Sequence, residues 1–108
     1  MNRNDIVRAR STDEYVRLVE QAIDETFDLR QSIEYDEEYM SEARAFIDEL
    51  EQILKDLYQS MKDETYEYAT GDLAFIALME GYHEGILPFK FLLKRINETH
   101  MKGLEISS

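Results

Sequence analysis

From Tyr15 the apolar positions step alternately by four and three residues: Tyr15, Val19, Ala22, Thr26, Leu29 and Ile33. That is the a/d spacing of one helical face, and Val16, Ile23 and Phe27 widen it. A cleaner stripe follows at Met40, Ala43, Ile47, Leu50, Leu54, Leu57 and Met61, flanked by Tyr39, Phe46 and Ile53. At 100° per residue this second set covers an arc of roughly 140°. A two-stranded coiled coil needs a narrower seam. A helix packed on two or more neighbours needs about this width, so the pattern predicts a bundle. Residues 1–70 contain neither glycine nor proline, which leaves an all-β fold without turn residues.

The junction of the two stripes is ambiguous. Ile33, Asp36 and Met40 keep the heptad register, so residues 12–62 can be drawn as one helix of ~75 Å. Asp36, however, would put a charge on the seam, and with Glu37 and Glu38 after it suits a helix N-terminus. The expectation is therefore an antiparallel hairpin broken near 34–37, with long helices at 12–33 and 37–62. Ser11 or Thr12 caps the first of them, after a flexible N-terminal arm at 1–10. Residues 63–71 form a linker in which Tyr66 and Tyr68 alternate around Glu67, as in a short extended segment. Thr70 or Asp72 then starts a third helix at 72–83, which is hydrophobic nearly all round from Leu73 to Met79. Such a helix belongs at a centre or a subunit interface. Pro88 fits the first turn of a fourth helix at 88–102, and Gly103 fits the position just past its end. Residues 1–108 thus read as a single all-α domain: a long helical hairpin plus two shorter C-terminal helices, the bundle being completed by dimerisation.

Charge narrows the partners. Residues 11–72 carry five basic and nineteen acidic side chains, residues 1–10 are net +2, and residues 73–108 balance at four against four. A chain at −12 repels phosphate, so no direct nucleic-acid binding and no anionic membrane surface are expected. There is no cysteine, which excludes thiol chemistry and disulfides. The basic N-terminus leads into no apolar segment and no long apolar run follows, so no signal peptide or membrane span is read and a cytoplasmic protein is expected.

Two constellations could carry function. Glu80, His83 and Glu84 fall at i, i+3 and i+4 on one helical face, and Glu-x-x-His is the pairing used by ferritin-like di-iron bundles. A full site of that kind needs two such motifs, so this chain, with one, would have to dimerise to bind Fe or Zn. Gly81 and Gly85 make a poor scaffold for it, and the principal expectation is no cofactor. His100 falls with Phe89, Leu92, Leu93 and Ile96 on the apolar side of the fourth helix, where an ordinary core or border histidine is expected. No serine pairs with either histidine as a nucleophile.

Phe91 is the more informative residue. It projects opposite that apolar side, among Lys94, Arg95, Glu98 and Lys102, as an interface ring framed by charge would. The sequence therefore points to a small acidic helical protein, non-enzymatic, acting as a protein–protein interaction or regulatory module. It is expected to form a homodimer through the long helices or the third helix, with a heterologous protein partner as a further possibility. The alternatives are a dimeric metal-binding bundle using Glu80, His83 and Glu84, or an acidic mimic of nucleic acid that binds a basic protein.

Overall fold

A helix starting at Thr12 needs acceptors for its first free amides, and Ser11 supplies one: its hydroxyl accepts the Glu14 N–H at 3.1 Å. Asp13 and Glu14 in the first turn suit the positive end of the helix dipole. The computed structural model describes residues 7–33, 40–80 and 89–105, and its elements are α1 (Thr12–Ile33), α2 (Met40–Lys62), α3 (Ala74–Glu80) and α4 (Lys90–Lys102). No strand occurs among the described residues. No helix there is long and apolar enough to cross a membrane.

α1 and α2 are separate helices that lie antiparallel. Arg30, near the end of α1, reaches Asp48 at 2.6 Å and Glu51 at 3.2 Å in the first half of α2. Tyr15, at the start of α1, meets Tyr66 just beyond the end of α2. Residues 12–62 therefore do not form one rod. The expected break at 34–37, with its Asp36 cap, lies outside the described residues. α1 packs against α2 and α4, and α3 packs against α2 and α4, so the four helices make a ring around one core within a single chain.

The core is built largely from the expected stripes. Tyr15, Val19, Ala22 and Thr26 of α1 are buried, as are Ile47, Leu50, Leu54 and Leu57 of α2. The α1 stripe widens on both sides: Ile23 is half-buried against the core on the expected side, but the edge at Phe27 stays outside. Leu18 is buried, whereas Phe27 is 52% exposed. The cause is the position of α4, which lies on the Glu14–Leu18 side of α1 and brings Arg95 to 3.7 Å from Glu14. The third helix is a surface helix: it buries Phe75 and Met79, leaves Ile76 and Leu78 half-buried, and exposes Ala74 and Ala77.

The irregular segments are fastened by buried polar residues of α4, Thr99 serving the N-terminal segment and Asn97 and His100 the one before α3. The Thr99 hydroxyl accepts the Ala9 N–H at 2.9 Å and donates to the Arg95 carbonyl. Asn97 accepts the Leu73 N–H at 2.8 Å and donates to Asp72 at 3.0 Å, so it, not Thr70 or Asp72, starts α3. The His100 carbonyl accepts the Ala69 N–H. The Thr99 bond holds residues 7–10 along α4, together with the Arg95–Val7, Arg8–Lys102 and Glu105–Ala9 bonds. α4 ends at Gly103, whose φ of +83° is costly for any residue with a Cβ and whose N–H returns to the Thr99 carbonyl at 2.8 Å. Thr99→Val leaves the buried Ala9 N–H without a partner, and we expect it to cost about 1–3 kcal/mol. Urea unfolding measures that loss, and faster tryptic cleavage at Arg10 reports release of the segment.

Candidate functional site

Helical periodicity gives α4 two working faces. Leu92, Leu93 and Ile96 are buried on one, and Phe91 points the other way with 59% of its surface exposed, the most exposed large hydrophobic side chain among the described residues. Around it the structure places the residues that the sequence grouped. Lys94 is exposed, and Lys102 lies 3.0 Å from Glu98 in an i,i+4 pair. Arg95 is engaged within the chain: its Nε donates to the Val7 carbonyl at 3.0 Å while a terminal nitrogen approaches Glu14. That bond brings Val7, 45% exposed, to the same side of the molecule. Arg8 joins the basic residues there through its bond to the Lys102 carbonyl.

His83 and Glu84, with the side chain of Glu80, lie outside the described residues. Among the described residues no group of three or more His, Cys, Asp or Glu is arranged to hold a metal ion.

A second cluster was not visible in the sequence. Three tyrosines and His100 converge where the start of α1, the end of α2 and the 63–73 segment meet the end of α4. The Tyr15 and Tyr66 hydroxyls lie 2.7 Å apart, and the Tyr66 hydroxyl lies 2.6 Å from His100 Nδ1. Burial lowers the pKa of His100, favouring a neutral ring whose Nδ1 accepts. Tyr66 then donates to His100, and Tyr15, whose hydroxyl has only Tyr66 to meet, donates to Tyr66. Burial pushes the Tyr66 hydroxyl up to about 12 and raises Tyr15 still further; Tyr68 is raised for the same reason. Hydroxyls shifted upward hold their protons at neutral pH, so the chain is a lock between segments and a poor proton relay.

The Tyr66–Tyr68 alternation suggests a short extended segment, in which residues two apart share one side. Both rings do lie on one side, against Tyr15, and they meet each other edge to face at 5.1 Å. The turn after α2 makes this possible. Glu64 takes a left-handed conformation (φ 61°), and the Thr65 and Tyr66 N–H groups both return to the Ser60 carbonyl.

Comparison with known proteins finds no matching family model, no matching curated protein and no matching solved structure.

Proposed function

We propose that this protein is a non-enzymatic interaction module whose docking surface is the outer face of α4. The observation that carries the reading is Phe91: a large ring left 59% exposed on a helix that buries its other aliphatic side chains. Leaving such a ring in water forgoes burial worth about 1.5–3 kcal/mol, and a partner recovers it. Lys94 and Arg95 lie within about one turn of the ring, and Lys102 and Arg8 extend the basic strip about three turns along the helix, on a chain that is otherwise strongly acidic. The partner is therefore a protein segment that presents an apolar side chain among carboxylates.

The test begins with a photo-crosslinking phenylalanine analogue at position 91, with the same analogue at the exposed Lys55 of α2 as control. The partner captured only from position 91 is then purified and titrated. Phe91→Ala is expected to weaken binding by about 2 kcal/mol or more, and added salt to weaken the wild-type complex. Equal crosslinking from both positions, or a purified complex indifferent to Phe91→Ala, would refute the docking surface.

Self-association through the long helices has its own support. Phe27 is 52% exposed on α1 beside the half-buried Ile23. Glu20 and Asp24 flank it on the same helix, so two copies pairing there bring like charges together. A homodimer through this strip therefore tightens with salt, the opposite of docking at α4, and Phe27→Glu disperses it. Sedimentation at low and high salt separates the two.

A further inference from the structure

Beside the tyrosine cluster a hollow of about 230 Å³ opens between the start of α1 and the end of α2. Its lining includes Tyr15, Tyr66, Tyr68, Met61, Val16 and Glu64, and it contains one carboxylate and no lysine or arginine. We propose that it binds a methylated ammonium group.

The arrangement of the rings is the first ground. Tyr15 and Tyr68 are nearly parallel, 15° apart with centroids 6.0 Å apart, and Tyr66 stands at 76° and 80° to them. Tyr15 is buried against the other two rings and backs them, so the aromatic surface left open beside the hollow belongs to Tyr66 and Tyr68. Ring faces carry partial negative charge and attract a cation set against them. The rings are also held in place before any ligand arrives, since the hydroxyls of Tyr15 and Tyr66 are tied to each other and to His100. Preorganisation of this kind lowers the ordering cost of binding.

Charge is the second ground. Glu64 sits where a helix usually ends in glycine, in a left-handed conformation that a side chain disfavours, and it supplies the hollow's carboxylate. The net charge of −12 draws cations toward the protein as a whole. The chemistry of the lining selects the type of cation. One carboxylate is too few oxygen donors for a metal ion such as Ca²⁺, and a primary ammonium would leave N–H groups unpaired against Met61 and Val16. Methyl groups on nitrogen remove those donors and fit the apolar wall.

The proposal is tested by NMR titration of the tyrosine ring signals with choline, with its neutral isostere 3,3-dimethylbutan-1-ol, and with N-acetyl-trimethyllysine amide. Saturable shifts of Tyr66 and Tyr68 are expected with the two cations, and binding about tenfold weaker for the neutral alcohol. Tyr68→Leu, at a half-exposed position that tolerates change, is expected to weaken cation binding about tenfold, and Glu64→Gln several-fold. Tighter binding of the lysine derivative assigns the group to a modified protein, and tighter binding of choline assigns it to a small metabolite or headgroup. Equal affinity for the neutral alcohol, or no saturable shift with either cation, would overturn the proposal. The hollow lies apart from α4's outer face, so this result does not depend on the Phe91 reading.

Discussion

Leu93→Ala is expected to lower the free energy of unfolding by about 2–5 kcal/mol. Leu93 is fully buried on α4 within the core shared by all four helices, and truncation removes its contacts and leaves a cavity. Native domains of this size are held by only about 5–15 kcal/mol in total, so one buried side chain of α4 matters to the whole ring. Chemical denaturation measures the loss. A value under about 1 kcal/mol would mean that α4 is not packed as described and that the ring of helices is open.

Tyr66→Phe is the second large effect, expected to cost about 1–3 kcal/mol. One oxygen atom is removed, yet two groups lose their partner, the Tyr15 hydroxyl and His100 Nδ1. The same cluster sets the pH limits of stability. The tyrosines are raised in the fold, Tyr66 to about 12, while an unfolded tyrosine ionises near ~10. Their contribution is therefore complete below about pH 10 and is lost as the pH rises from there through the folded values. His100 is shifted the other way. The unfolded ring takes up a proton below about pH 6.5 while the folded ring resists it, so this contribution is present above about pH 6.5 and declines as the pH falls. Unfolding measured across pH should show loss of stability on both flanks. Tyr66→Phe should reduce the alkaline slope, and His100→Gln should flatten the acid flank below about pH 6.5. Unchanged slopes in both variants would remove the cluster from the account.

Much of this architecture can be read from residue spacing, and what cannot shares one physical cause. The stripes through Val19 and Leu54 mark the two long helices because burial imposes a period on each helix separately. Gly103 marks the end of α4 because only local backbone geometry is involved. Phe91 stands out for a similar reason, since a helical projection shows it pointing away from Leu92, Leu93 and Ile96. The side of α1 on which α4 would settle is a matter of tertiary packing, and the heptads placed Phe27 inward where the structure leaves it exposed. The roles of Thr99, Asn97 and His100 are equally silent in one dimension. Thr99 serves Ala9 ninety residues away, and nothing in either neighbourhood announces it. The tyrosine cluster was illegible for the same reason. Tyr15 and Tyr66 lie 51 residues apart, and a left-handed Glu64 decides where the second of them points.

The view that α4 keeps one face for the core and the other for a partner is tested most directly by thermal unfolding of Phe91→Ala at two protein concentrations. Phe91 is 59% exposed, so replacing it by the best helix former removes little internal contact, and the midpoint should stay within about 3 °C of wild type, equally at both concentrations. A fall of about 10 °C or more, or one that deepens on dilution, would place Phe91 inside the core of the chain or of an obligate dimer and contradict the docking surface.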